Sequence, residues 1–389
     1  MPGFFRRGRR LATITTAAAV VAAMTACSGP PSASSGGTGA ASSACTATVS
    51  KDKVKLVFGV GSFSSAYWQE VLKGAQAVAD SAGVPLKAYE SKFDGQTILN
   101  TLSSSLAGGG QGTAIVVDPA SNAFTKPIVQ TAAASGARIV TLWNRPTESH
   151  PWDFGDGCWV AHTAFDGGDS GKQNTEALFK AIGNKGGIVA LQGIPDDPSN
   201  KQRLYGLQEA LKSDSNVKLL DTQTANWTAA AAQSKVNALL AKYPDKIDGI
   251  FAANDDMAVG AVEALRAKGL TGKIPVTGSD GSIDMLNLVK SGDAFSTMKT
   301  DAYGQGAYAA AIAIASVTGD IKAAELPHEH RDFYLKQEFV TKSNAQQAID
   351  ATNNFDASKY SYDTLKADLW GDIASPIDDT TWIPAVTVG

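Results

Sequence analysis

Short apolar runs alternate with amphipathic stretches along most of this chain. The apolar runs fall at 54–60, 84–89, 114–117, 138–142, 187–191, 217–220, 249–252 and 274–276. Helical periodicity occupies 66–81, 96–106, 123–135, 170–182, 201–212, 228–242 and 257–268. The apolar runs are rich in β-branched residues and nearly unbroken, as strands are when helices cover both faces of their sheet. Gly83, Gly136 and Gly269 each stand where a helical stretch stops, the usual place for a glycine at a helix C-terminus. Repeated strand–helix units with short links build parallel sheets. There are too many units for one comfortable sheet, and the repeat breaks at 145–157, rich in Pro, Gly and Asp, before restarting. The pattern predicts an α/β chain of two doubly wound parallel-sheet lobes.

The N-terminal residues follow another pattern. Arg6-Arg7-Gly8-Arg9-Arg10 precedes an Ala/Val/Thr-rich segment at 11–23, then Met24-Thr25-Ala26-Cys27. A basic stretch, a short apolar core and small residues before a cleavage point make an export signal. The core is shorter than the ~20 residues that a spanning helix takes. A cysteine at that point resembles the bacterial lipoprotein signal, in which Cys27 is lipidated and becomes the mature N-terminus; Met24 stands where Leu is usual. The paired arginines leave the twin-arginine route open. Residues 28–50 are Ser, Gly, Ala, Thr and Pro with almost no large apolar side chain, a composition that reads as a flexible tether. The chain is expected to be exported and lipid-anchored to the outer side of the cell membrane, with its folded body starting near Lys51.

Charge and cysteines narrow the partners. The chain has 34 Lys and Arg against 38 Asp and Glu, and no basic cluster beyond the signal, which argues against nucleic acid. With Cys27 lipidated, Cys45 and Cys158 remain, and an oxidising exterior favours a bridge between them over two free thiols. Two cysteines do not make a zinc site, and His150, His162, His328 and His330 lack ligand spacing, so no metal or cofactor is expected.

Ligands of doubly wound sheets bind beyond the carboxyl ends of the strands. The residues there are Ser65, Tyr67 and Trp68 after the first strand, and Trp143, Asn144 and Arg145 after the fourth. The second half contributes 192–203, Asn226-Trp227, the run Asn254-Asp255-Asp256-Met257, and Gly278-Ser279-Asp280-Gly281. Planar amides, carboxylates and a guanidinium each bond adjacent hydroxyls bidentately. Indole rings cover the apolar C–H faces of a sugar ring. No nucleophile–base pair stands among them. The set suits a neutral polyhydroxylated ligand.

On these residues the chain, over about 53–340, resembles the periplasmic sugar-binding proteins of ABC transporters, of the ribose- and galactose-binding type, which are related to the ligand domains of lac-repressor-like regulators. The matching stretches are Tyr67-Trp68 with Gly74-Ala75, 136–141, 191–194, Arg203-Leu204-Tyr205-Gly206 and, most specifically, 251–260 with 278–281. The resemblance implies Tyr67, Trp68 and Trp227 as ring-packing aromatics, with Asn254 and Asp280 binding hydroxyls. Asn144 stands where the family usually has Asp, beside a matching Arg145. Ser65 stands where Asn is common, Lys201 where Arg is common and Thr300 where Gln is common, with Asp301 beside it as a substitute. Trp143 reads equally as core or platform. Asn254 and Asp280 also read as helix caps, and Lys201 as a solvent-facing lysine.

The resemblance further implies a three-segment hinge around an interlobe ligand cleft, with crossings near 162–166, 300–301 and 328–331. The expected division is a signal at 1–27, a tether at 28–50, a first lobe from 51–164 and 301–330, a second from 165–300 and 331–343, and an extension at 344–389. The implied function is a monomeric lipoprotein that captures a sugar or polyol and delivers it to an ABC permease, touching the membrane only through its lipid. Alternatives are a sensing role toward a membrane kinase or chemoreceptor, a non-sugar small molecule, and a carbohydrate-active enzyme using Asp256 or Asp280 with Asp301 as acid and base.

Overall fold

The computed structural model describes residues 43–213, 216–377 and 379–382; the expected signal and Cys27 lie outside them. One helical turn, α1 (Ser43–Thr46), precedes an alternation of β1 (Lys55–Val60), α2 (Ala66–Ala82), β2 (Leu86–Glu90), α3 (Gly95–Leu106), β3 (Thr113–Val117), α4 (Asn122–Ser135), β4 (Arg138–Leu142) and β5 (Trp159–Ala164). The alternation continues through α5 (Gly167–Ala181), β6 (Gly186–Gln192), α6 (Pro198–Ser213), β7 (Val217–Thr224), α7 (Ala229–Lys242), β8 (Gly249–Ala252), α8 (Asp255–Arg266), β9 (Val276–Asp280), α9 (Ile283–Ser291) and β10 (Ser296–Thr300). Then come α10 (Ala302–Thr318), β11 (Asp332–Leu335), β12 (Gln337–Thr341), α11 (Ala345–Asn353), α12 (Tyr362–Ala367), β13 (Ile373–Pro376) and α13 (Asp379–Trp382).

The strands form two sheets, one ordered β13-β11-β5-β4-β3-β1-β2 and the other β12-β10-β9-β8-β6-β7. Pairing is parallel except at β11–β13 and β10–β12. Each sheet is the centre of one α/β lobe. On β1 the side chains alternate faces as the two-residue strand period requires. Leu56 and Phe58 pack toward the apolar layer of α2 and α10, while Val57 joins Ile98, Ile128 and Trp159 on the other face. Helices α2 and α10 touch backbone to backbone: a Cβ on Gly74 would lie 1.9 Å from the Tyr303 carbonyl oxygen, and one on Gly306 would lie 1.8 Å from that of Val71.

The chain leaves the first sheet after β5 and returns after β10. Both crossings run straight into a helix N-terminus. Asp166 caps α5 by accepting from Asp169 N–H at 3.0 Å, and Asp301 caps α10 by accepting from Gly304 N–H at 2.9 Å. The third crossing corrects the sequence expectation. Residues 331–335 do not join the second lobe: Phe333 pairs with Thr163 in the first sheet, and only from Gln337 does the chain pair with β10. The crossing is at Lys336. Asp332 to Leu335 are all buried, as an interior strand should be, whereas β12 is a half-exposed edge.

Two further expectations shift. The tether, expected to run to residue 50, is tied down earlier, because Cys45 is bridged to Cys158. Arg138 also donates to the carbonyls of Ala44 at 3.2 Å and Ala47 at 2.8 Å. The 344–389 extension is woven into both lobes over its described part. Helix α11 packs on α9, α12 on α2, and β13 adds an antiparallel edge strand beside β11. Trp382 is fully buried and donates through Nε1 to the Arg145 carbonyl at 2.9 Å.

Candidate functional site

A cavity of about 530 Å³ opens where the strand ends of the two sheets face each other. From the first lobe it is walled by Ser65, Tyr67 and Trp68 at the start of α2, Asp118 just past β3, and Trp143 just past β4. From the second lobe come Asp197 and Arg203 around the start of α6, Trp227 before α7, Asn254 and Asp256 at the start of α8, and Asp280 at the end of β9. Helix starts suit such a site because their first N–H groups lack partners within the helix.

Backbone strain gathers at the same strand ends. Trp143 and Trp227 have φ values of 60° and 63°, and Asp280 has 136°. Side chains larger than glycine avoid this region, and such residues collect where a site fixes them. Trp227 also needs a glycine opposite: a Cβ on Gly193 would lie 2.1 Å from its ring.

The polar groups are held by specific partners. Trp143 Nε1 donates to the Tyr67 hydroxyl at 3.0 Å, and that hydroxyl donates to Gln305 Oε1. Trp227 Nε1 donates to Asp197 Oδ2 at 3.0 Å. Arg203 donates through Nη1 to the Ala253 carbonyl at 2.6 Å and through Nη2 to Asp280 Oδ1 at 3.1 Å. Its guanidinium carbon lies 5.5 Å from the Trp143 ring centre and 5.7 Å from that of Trp227, so rings from both lobes flank one cation. Burial raises the affinity of Asp256 for protons, and the Ser65 hydroxyl of the opposite lobe works against it. Asn254 does two things: its Oδ1 caps α8 by accepting from Met257 N–H at 2.9 Å, and the residue also lines the cavity. Asp280 is not a cap; Ser282 caps α9 instead.

Burial disfavours the charged form of the cavity's carboxylates. It pushes Asp280 up to about 8 although Arg203 pulls the other way. Asp118 is pushed up to about 7 by burial and by the carboxylate of Asp197. Asp197 rises to about 6 through burial, moderated by its bonds from Trp227 and Ser199.

Five residues expected at the site lie outside its lining. Asn144 is buried behind it and donates to Asp118 Oδ1 at 2.6 Å, so it positions a lining residue instead of serving as one. Arg145 is fully buried and drawn to Asp332 at 2.9 Å and Asp379 at 3.1 Å, with its Nη1 on the carbonyls of Pro146 and Thr147. The left-handed turn at Trp143 puts the indole in the cavity, and the chain carries Arg145 away from it. Lys201 pairs with Asp196 at 3.4 Å. Thr300 donates to the Asp280 carbonyl at 2.9 Å, and Asp301 is spent on capping α10. Asp118 and Asp197 were missed. Asp118 follows the apolar run at 114–117 directly, and Asp197 lies within 192–203, so a stricter reading of every strand end finds both.

Residues 56–321 match the family described as periplasmic binding protein domain. A xylitol-binding protein of Mycolicibacterium smegmatis is 34% identical over 46% of this chain and 50% of its own length, so the chain matches only half of that relative. A D-allose-binding periplasmic protein of Escherichia coli is 27% identical over 60% of this chain and 75% of its own. The crystal structure of a twin-arginine translocation pathway signal protein from Burkholderia phytofirmans superposes with a TM-score of 0.79 at 34% identity, covering 84% of this chain and 98% of that one. A periplasmic solute-binding protein of an ABC transporter from Actinobacillus succinogenes, with bound D-allose, gives 0.66 at 27% identity, covering 76% and 99%.

Proposed function

The chain belongs to the periplasmic binding protein family, and on that premise we propose that it is an exported solute-binding lipoprotein, anchored through Cys27, that captures a sugar or polyol between its lobes and hands it to an ABC permease. The observation that carries this reading is the cavity itself, to which each lobe contributes both aromatic faces and hydrogen-bonding groups. Trp68 and Trp227 cover the apolar faces of the solute, while Asn254, Asp280 and Asp118 accept or share its hydroxyl hydrogens. The relatives are named as binding proteins of sugars and polyols, which supports capture without turnover.

A solute that touches both lobes stabilises the closed arrangement by its differential affinity for closed over open. The hinge elements are Asp166, Asp301 and Lys336, where the chain passes between the sheets. The closed form then docks on the permease. Thermal unfolding of the full chain against pentoses, hexoses, sugar alcohols and inositols tests the reading. A ligand at 100 times its Kd adds about 2.7 kcal/mol of stability. A sharp rise in midpoint with one class supports capture of that class. No response after refolding, which removes carried-over solute, ends the sugar-and-polyol reading.

A further inference from the structure

Five carboxylates and two cations line the cavity, a formal excess of three negative charges. The balance is worse in the interior than at the mouth. Lys92 is exposed, and Glu90 near it accepts from Phe63 N–H at 2.9 Å. Inside, the one cation lining the cavity among the described residues is Arg203, and its Nη groups are committed to Asp280 and the Ala253 carbonyl. Arg145 and Lys201, the cations the sequence offered, point to other partners. Asp118 and Asp197 are each 5% exposed and their hydrogen-bond donors are neutral, Asn144 and Ala120 N–H for the first, Trp227 and Ser199 for the second; Arg203 acts on Asp197 through its charge alone, and no cation acts on Asp118.

These two carboxylates come from opposite lobes. Closing the cleft brings like charges together in a poorly solvated space, and buried charges persist only when paired. Both donors on Asp118 end on Oδ1, which leaves Oδ2 for a ligand. Around them the indole N–H groups of Trp143 and Trp227 are already bonded, so neither ring offers a solute a donor. The Trp143 and Trp227 rings already flank Arg203, so a second cation is left to the carboxylates, one from each lobe and neither hydrogen-bonded to a cation.

We propose that the solute is a polyhydroxylated amine, an amino sugar or amino-polyol, whose ammonium group sits between Asp118 and Asp197. This inference rests on the solute-capture reading and sharpens it: the ammonium neutralises the like charges that closure brings together, so the amine is what makes the closed state favourable. The raised affinity of Asp118 for protons, which burial and Asp197 cause, fits a site that lacks its counter-charge.

Matched sets test it with the full chain: D-glucose, D-glucosamine and N-acetyl-D-glucosamine; the galactose series; and D-glucitol, 1-amino-1-deoxy-D-glucitol and its N-acetyl form. Calorimetry is expected to show an amine bound at least tenfold more tightly than both its hydroxyl and its uncharged N-acetyl counterparts. Asp118→Asn and Asp197→Asn should each cut that preference to threefold or less, while the far-ultraviolet circular dichroism stays unchanged. A retained preference in two folded variants overturns the placement of the ammonium. A hydroxyl member that equals or outbinds its amine overturns the inference and leaves solute capture standing. Silence across every set also overturns the inference, and solute capture then stands or falls on the wider panel of pentoses, hexoses, sugar alcohols and inositols.

Discussion

Arg145 and Asp379 stand 234 positions apart in the chain, and 3.1 Å separates the Arg145 Nη2 from the Asp379 Oδ1. The same guanidinium meets Asp332 at 2.9 Å, and His150 bridges both carboxylates at 2.8 and 3.0 Å. The arginine that the resemblance implied for the ligand is thus the fastening point for a C-terminal segment.

Replacing Arg145 by Met should therefore destabilise the protein far more than it weakens solute binding. Asp332 is buried, and removing one partner of a buried pair costs roughly 3–5 kcal/mol. That is on the order of a 10 °C fall in midpoint. Asp379→Asn should cost about 1 kcal/mol or less, since that partner is nearly half exposed. Thermal scans and calorimetry on the folded fraction check both. A tenfold loss of affinity with an unchanged midpoint would return Arg145 to the ligand.

Trp227→Ala removes a ring face and one of the two side-chain donors on Asp197. Burial of a large aromatic side chain contributes about 1.5–3 kcal/mol, so affinity should fall tenfold to a hundredfold. Titration calorimetry reads it directly, and an unchanged Kd takes Trp227 out of the site.

Gly193→Ala asks the same question from behind. The added methyl would stand 2.1 Å from the Trp227 ring and must push it into the cavity or tilt it. Binding should weaken at least fivefold, with the intrinsic tryptophan emission of the empty protein altered. Wild-type affinity would mean that the ring has room to retreat.

The solute-free protein should be more stable near pH 5 than near pH 8. The folded-state pKa of Asp118, Asp197 and Asp280 is raised to about 7, 6 and 8 by burial, well above the unfolded value near 4. Between those values the folded state holds more protons than the unfolded one, so stability falls as pH rises through the window. His150, raised chiefly by its bond to Asp332, adds in the same direction. Asp118→Asn should flatten the slope. A midpoint that climbs from pH 5 to pH 8 contradicts the assignment.

Reduction of the Cys45–Cys158 bridge, which closes a separation of 113 residues, should lower the midpoint and spare solute affinity at 25 °C. Loop-closure entropy sets the effect at about 4–5 kcal/mol at most. A scan with and without reductant settles it, as does Cys158→Ser.

Strand–helix alternation and strand-end chemistry were readable because both follow from local pattern. Apolar runs with helical segments between them admit few arrangements, and the family run at 251–260 lies where β8 meets α8. Strand β5 was missed because His162 and Thr163 break its apolar pattern; the fold accommodates His162 with Thr141 Oγ1 at 2.9 Å from Nδ1. The fate of Arg145 was not readable either. Its partners Asp332 and Asp379 come from distant segments, and only the assembled first lobe brings them together. Asp118 was readable and overlooked, for it follows β3 immediately, one residue closer than Asn254 follows β8.

The place of β13 in the first sheet also orders assembly in time. Every strand of the second sheet has been made by Thr341, whereas the first sheet lacks its edge until Pro376. As the chain is made from its N-terminus, the second lobe is free to fold while the first waits with β11 as an open edge. Such an edge is a template for pairing with another chain, and sheets built from distant segments are slow to close. The last few dozen residues therefore act as a seal applied late: a chain truncated before Ile373 would be expected to reach the exterior able to form its second lobe and prone to pair through its first.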